Sequence, residues 1–185
     1  DYLNGHPIKS LYAYGMCKRM LLIGQQNLAK QFGMNFSTFV PSTLYGPGYT
    51  LKNKIPHFIF DVIRKILEGK KYNRKVELWG DGTQKRELIH VTDFVNQMLL
   101  VEDKNKNDLV NIGGGDDFEI RYFAQIICDI AGYDFDKIFF NTSKYTGAKS
   151  KNLSIEKLRN LIPDYVPISL QRGLEETVLD LDKQV

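Results

Sequence analysis

Short apolar runs alternate with helical stripes along this chain, and that alternation limits the fold more than any other feature. Residues 14–32 carry a helical pattern that Gly33 is placed to end, and residues 36–40 then read as a buried strand. Ile59, Val62, Ile63, Ile66 and Leu67 recur at helical spacing between Pro56 and Gly69, and Ile120, Phe123, Ile126, Ile127 and Ile130 do so ahead of Gly132. Such spacing gathers the apolar groups on one helix face, which must be buried against another element. Extended stretches at residues 76–79, 88–91, 109–112 and 137–140 lie between the helices. Strand and helix in alternation predict an α/β architecture with a mainly parallel sheet. The shorter strands and longer loops of the second half predict a smaller mixed α/β lobe, with a boundary near residue 50.

Local signals complete the expected layout. Residues 41–47 read as a loop, Gly80-Asp81-Gly82 as a turn, and Gly113-Gly114-Gly115 as a plain turn after a strand. Thr92 or Asp93 is expected to cap the helix that carries Phe94, Val95, Met98 and Leu99, and serines 154 and 169 to cap two short helices near the end.

Composition excludes several classes. The chain has 185 residues, 43% hydrophobic and 25% charged, enough to bury a core. A formal charge of +3 is too small to imply a nucleic-acid partner, and Lys70, Lys71, Tyr72, Arg74 and Lys75 read as a solvated loop. Cys17 and Cys128 have neither metal-ligand spacing nor a disulfide framework, so no metal is expected and a reducing cytoplasm fits. Cys17 is expected to pack in the core. No apolar run approaches the roughly 18 residues of a membrane span, so no membrane partner is expected.

Tyr14 and Lys18 bring chemistry to the first helix. Residues four apart on a helix lie one above the other, so the ammonium can reach the phenol. A nearby cation favours the phenolate and suits the tyrosine to general acid or base work on an alcohol or carbonyl. The spacing alone also arises by chance on amphipathic helices.

Further motifs follow in order. Tyr14-x-x-x-Lys18 precedes Pro41-Ser42-Thr43-Leu44-Tyr45-Gly46-Pro47, then Trp79-Gly80-Asp81-Gly82-Thr83-Gln84-Lys85-Arg86-Glu87, with His90-Val91-Thr92-Asp93 behind it. This order resembles the extended short-chain dehydrogenase/reductases, the nucleotide-sugar epimerases and dehydratases. The resemblance runs through Asn111-Ile112-Gly113 and the Gly147 loop to the C-terminal helices. It implies that residues 1–50 form the C-terminal part of a Rossmann-type doubly wound parallel sheet. Residues 51–185 would form mainly a nucleotide-sugar lobe, with some chain returning to that sheet.

Within the superfamily the chain resembles most the GDP-L-fucose synthases. His57 follows a loop lysine and heads an apolar helix that contains Arg64-Lys65. In that family such a histidine donates the proton in epimerisation, and the first turn of a helix lowers a histidine pKa. The bland alternative is a polar residue facing water. The resemblance implies Tyr14, Lys18 and His57 as catalytic groups. It implies Tyr14, Lys18, Pro41, Ser42, Leu44 and His57 as contacts to NADP, or alternatively NAD. It also implies Lys65, Trp79, Arg86 and Thr146 as contacts to a GDP-sugar or other nucleotide-sugar substrate.

Arg86 can fork onto a diphosphate or pair with Glu87 or Asp93. Trp79 can stack on a base or sugar, or pack in the lobe core. A homodimer through the helix over residues 14–32 is likewise implied.

The implied reaction is C3/C5 epimerisation and C4 reduction of a GDP-4-keto-6-deoxy sugar. Departures leave the sugar nucleotide open: Thr43 stands where those enzymes carry asparagine, and Gly147-Ala148-Lys149-Ser150-Lys151 replaces a threonine-proline-arginine-lysine run. An NAD-dependent 4-epimerase or 4,6-dehydratase would use the same Tyr-Lys pair. A non-catalytic nucleotide-sugar-binding fragment is a third reading. A dinucleotide fold needs a Gly-rich turn after its first strand, and none precedes Tyr14 here. The chain is therefore expected to be the C-terminal portion of a larger enzyme, inactive alone.

Overall fold

The computed structural model describes residues 3–52, 56–144 and 146–185. Lys54, the loop lysine before His57, lies outside the described residues. The chain opens with a 3-10 turn and helix α1 (Tyr12–Phe32), then β1 (Ser37–Pro41), β2 (Thr43–Tyr45), α2 (Phe58–Lys71), β3 (Val76–Trp79) and β4 (Lys85–His90). Next come α3 (Val91–Val101), β5 (Asp108–Ile112), β6 (Asp117–Glu119), α4 (Ile120–Ala131), β7 (Ile138–Asn141), β8 (Ser150–Lys151), α5 (Glu156–Leu161) and α6 (Leu170–Asp182). The mixed α/β expectation is met, and the ladders are mainly parallel: β1 with β5, β2 and β8 with β4, and β3 with β7, while β6 joins β4 antiparallel.

The apolar stripes form the larger core. α2 buries Ile59, Ile63 and Ile66 completely and packs against α4 and α6, which bury Phe123, Ile127, Leu174 and Leu181. Each such side chain stabilises the fold by about 1.5–3 kcal/mol. The outer face of α2 holds its charges in ion pairs, Arg64 with Asp61 and Glu68, and Lys65 with Asp61. A second core beneath β1 and β5 contains Ile89, Val101, Val110, Ile112 and Leu158. α1 packs lightly: Leu22 is its one buried residue, and Thr38 of β1 donates to Gln25 Oε1 at 2.7 Å.

Several local expectations are corrected. The 41–47 segment is not all loop, because Thr43–Tyr45 pairs with Leu88–His90. α2 does not stop at Gly69 but continues to Lys71. A Cβ at Gly69 would lie 2.5 Å from Val76 Cγ2, so the glycine lets β3 approach the helix instead of ending it. Lys70 and Lys71 therefore sit in the last helical turn, and Arg74 pairs with Glu68 at 2.7 Å, so the basic run is not a free loop. α3 is capped by His90, whose Nδ1 accepts from Thr92 N at 3.4 Å, rather than by Thr92 or Asp93. Ser169 caps α6 as expected, but α5 starts after Ile155 with no side-chain cap, and Ser154 does not serve it. Cys17 is exposed, not packed in the core, while Cys128 is buried.

Candidate active site

A cleft of about 590 Å³ opens where the chain passes from one ladder to the next. Pro41 ends β1 opposite Ile112, Ser42 N donates to Ile112 O at 3.0 Å, and from Thr43 the backbone joins β4 instead. Open α/β sheets bind ligands outside the carboxyl ends of their strands, at such changes of partner. Pro41, Ser42, Thr43 and Leu44 line the cleft, joined by Tyr14 from α1 and His57 from the start of α2. Glu87, Lys151, Asn152 and Leu153 also border it.

Tyr14 is 64% exposed, so its phenol is open to a ligand. Lys18, one turn on, does not border the cleft; its Nζ lies over the Tyr14 ring, 5.6 Å from the centroid. A cation over the ring face is attracted by the ring quadrupole and keeps the ammonium beside the phenol. His57 occupies the N-cap position of α2 but makes no side-chain cap bond, so its imidazole is not committed to the helix. It also borders a neighbouring depression of about 260 Å³ with Tyr49, Phe60 and Val91. Ser42 Oγ is buried with no hydrogen-bond partner among the described residues. A buried hydroxyl left unpaired is costly, so this one is poised for a ligand group.

The expected substrate residues lie elsewhere. Lys65 and Trp79 come together in a separate groove of about 450 Å³ that also includes Arg64 and Glu77. Lys65 Nζ sits 5.9 Å from the Trp79 ring and 2.9 Å from Asp61 Oδ2. Trp79 is 54% exposed, which removes the core-packing alternative. Arg86 forms no ion pair with Glu87 or Asp93; its Nη1 donates to Lys85 O at 2.7 Å and Ala148 O at 2.9 Å. Burial lowers the Arg86 pKa from its ordinary value, yet a guanidinium remains charged at any working pH. Thr146 is set in the same loop, its methyl against Gly80.

Sequence reasoning did not single out Glu87 as a cleft residue. Only its place as a lone acid entering the apolar run Leu88-Ile89 could have flagged it. Asp93 is buried and holds the distant 165–168 segment: Tyr165 Oη donates to it at 2.8 Å and Ile168 N at 3.0 Å. Tyr45 packs edge-on against His90 at 5.3 Å, and burial, then Asp93 and Glu176, push its phenol pKa up. Among the described residues, no group of three or more His, Cys, Asp or Glu could hold a metal ion, and no helix is long and apolar enough to cross a membrane.

Known proteins show the same layout. The NAD dependent epimerase/dehydratase family matches residues 1–113. A GDP-L-fucose synthase of Escherichia coli K12 is 32% identical over 182 residues, covering 92% of this chain and 56% of its own length. A dTDP-4-dehydro-6-deoxy-D-allose reductase of Streptomyces bikiniensis is 31% identical over 148 residues, covering 80% of this chain and 44% of its own. The chain thus spans about half the length of the curated relatives it matches. The crystal structure of a GDP-L-fucose synthetase from Naegleria fowleri superposes with a TM-score of 0.87 at 22% identity, over 97% of this chain and 57% of that one, a likeness of fold. Family match, identity and fold agree: the chain belongs to the NAD-dependent epimerase/dehydratase family.

Proposed function

We propose that this chain carries the catalytic acid and one substrate lobe of a cytoplasmic nucleotide-sugar epimerase-reductase of the GDP-L-fucose synthase type. Its reaction is C3/C5 epimerisation followed by C4 reduction of a GDP-4-keto-6-deoxy sugar, with NADP, or NAD, as cofactor. The observation that carries this reading is convergence: Tyr14, the Pro41–Leu44 bend and His57 come from three separate segments and border one cleft. The division near residue 50 into a dinucleotide-binding part and a sugar lobe belongs to the same proposal.

The cleft fits the nicotinamide end of such a cofactor. Ser42 Oγ is a buried polar atom awaiting a partner, and Pro41 and Leu44 give an apolar border beside it. The Gly113–Gly115 turn offers no diphosphate cradle, since Cβ atoms at Gly113 and Gly114 would strike Glu87 Oε1 and Leu88 O. When bound, the nicotinamide supplies the hydride for C4.

Tyr14 protonates the oxygen at C4 during reduction, and the adjacent Lys18 ammonium stabilises the phenolate left behind. His57, free of capping, returns a proton to carbon in the epimerisation step. Arg86 and Thr146 contact the substrate diphosphate, while Lys65 and Trp79 hold its base or sugar by charge and stacking. Two copies pair through α1, whose Met20, Leu21 and Phe32 are each 61% exposed.

Tyr14→Phe in the full-length protein tests the assignment. With the ring and the Lys18 contact kept and the acidic proton gone, kcat for reduction of a 4-keto sugar nucleotide is expected to fall by about 10²–10⁴. Normal NADPH oxidation by that variant would remove Tyr14 from the mechanism.

A further inference from the structure

Glu87 is 2% exposed, yet it borders the cleft. Its two carboxylate oxygens take one backbone N–H each from two different segments: Gly115 N donates to Oε1 at 3.0 Å, and Leu153 N to Oε2 at 2.7 Å. The contact to Gly115 depends on a close approach, because a Cβ at Gly113 would lie 2.0 Å from Oε1. The same strand grips the second segment at three further points. Lys85 N donates to Lys149 O at 2.8 Å, Arg86 Nη1 to Ala148 O at 2.9 Å, and Ser150–Lys151 pairs along Lys85–Arg86. Beyond that pairing the segment leaves the ladder at Lys151, and the Glu87 bond to Leu153, with the bond from Asn111 Nδ2 to Ser154 O at 3.0 Å, holds Asn152 and Leu153 at the cleft border.

We propose that Glu87 is a positioning residue of the cleft, a two-ended clamp that sets the Lys151–Asn152–Leu153 wall facing Tyr14 and His57 and thereby governs how tightly the substrate is held. This rests on the reading of the cleft as a nucleotide-sugar site. The physical argument is geometric. A carboxylate has two acceptor oxygens and no donor, so it can satisfy two converging N–H groups that a hydroxyl or amide could satisfy only in part. Its burial ties the wall to the turn after β5, which is continuous with the β1–β5 ladder that ends at Pro41. Both walls of the cleft are thus referenced to one rigid ladder. Glu87 makes no hydrogen bond to Tyr14, Lys18 or His57, so it acts on binding rather than on proton transfer.

Two variants of the full-length protein test this. Glu87→Gln replaces one oxygen with an NH₂ that cannot accept, leaving one N–H without its partner. Gly113→Ala keeps Glu87 but pushes its carboxylate aside. Both are expected to raise KM for a 4-keto sugar nucleotide by up to about ten-fold, the limit reached where substrate binding must re-order the wall against the lost charge-assisted hydrogen bond, with kcat kept within about three-fold. Amide hydrogen exchange gives a readout independent of turnover: Gly115 or Leu153 should exchange at least about ten-fold faster, with the β1–β5 amides unchanged. Unchanged exchange at both amides in both variants overturns the clamp, as does a fall in kcat at constant KM. If the full-length protein turns over no nucleotide sugar, the functional reading fails, and exchange at Gly115 and Leu153 decides the clamp by itself.

Discussion

Replacing Asp93 should unfold this chain more readily than any other change to the His90–Asp93 motif, by an amount that can be reckoned bond by bond. Asp93 is 3% exposed and accepts from Ile168 N and Tyr165 Oη, groups 75 and 72 residues away along the chain. In Asp93→Ala the Ile168 N–H loses its partner in a part-buried site, which costs about 1–3 kcal/mol. The Tyr165 hydroxyl can turn towards water, so its loss is about 1 kcal/mol. The sum is about 2–4 kcal/mol, or about 4–16 °C in Tm for a chain of this size. Asp93→Asn is a sharper probe. Its amide oxygen can accept from Ile168 and its amide nitrogen can donate to the phenol oxygen, so only the charge assistance is lost, about 1 kcal/mol. Urea unfolding of both variants, with the m-value checked for constancy, measures the difference. A loss below about 1 kcal/mol in the alanine variant, or equal losses in the two, would refute the account of Asp93 as the acceptor for two converging donors.

The same contact predicts behaviour in alkali. Burial, and then the bond to Asp93, raise the Tyr165 pKa from 10.0 to about 12. The neutral phenol is thus favoured in the folded state, and its stabilisation is complete below pH 10 and lost as pH rises towards about 12. Ultraviolet titration should show this phenol ionising at lower pH in Asp93→Ala. For the epimerisation step, His57→Ala should abolish C3/C5 epimerisation, followed as solvent deuterium carried into the inverted product; retained epimerisation would remove His57 as the proton donor. Calorimetry with GDP and with NADPH separates catalysis from binding alone, since tight GDP binding without NADPH binding would mark a nucleotide-sugar module. On α1, Met20→Lys and Phe32→Lys should shift a dimer to monomer in sedimentation velocity without altering the far-ultraviolet dichroism.

Elements whose cause lies in the local pattern were legible from sequence. The stripes of α2 and α4 exist because every third or fourth side chain is apolar and meets the shared core around Ile63 and Phe123. β3 was legible for the same reason, with Val76 and Leu78 buried and Glu77 and Trp79 exposed in alternation. Elements whose cause lies far along the chain were not. Thr43–Tyr45 is a strand only because Leu88–His90 offers it a ladder. Asp93 carries the usual chemistry of an N-cap, but its carboxylate is drawn to Tyr165 and Ile168, and the His90 imidazole caps the helix instead. Gly69 reads as a stop, yet the space it leaves is filled by Val76 from the next strand.

The candidate site divides along the same line, and the division has a consequence for function. Tyr14, Ser42 and His57 lie in short motifs that bring their own geometry: a helical turn, a strand-ending proline, a helix cap. Their chemistry can be read without knowing what faces them. The wall from Lys151 to Leu153 has no motif and hardly a strand; it is held by the short ladder to Arg86, by a carboxylate 66 residues before Leu153 and by Asn111 on Ser154 O. On the proposed function, Tyr14 and His57, the groups assigned to proton transfer, are thus fixed by local structure, and the residues that shape the cavity largely by long-range hydrogen bonds. Substitution in the first set should act on kcat, since those groups meet charge as it develops in the transition state. Substitution in the second should act on KM, because it alters how the bound molecule is held before any charge develops. Thr43 and the Gly147–Lys151 stretch, where this chain departs from the GDP-L-fucose synthase pattern, belong by position to the second kind: Thr43 and Lys151 line the cleft, and Gly147 abuts Arg86. Under the proposed function, the departures are therefore expected to bear on which sugar nucleotide is bound and to leave the acid role proposed for Tyr14 as it is.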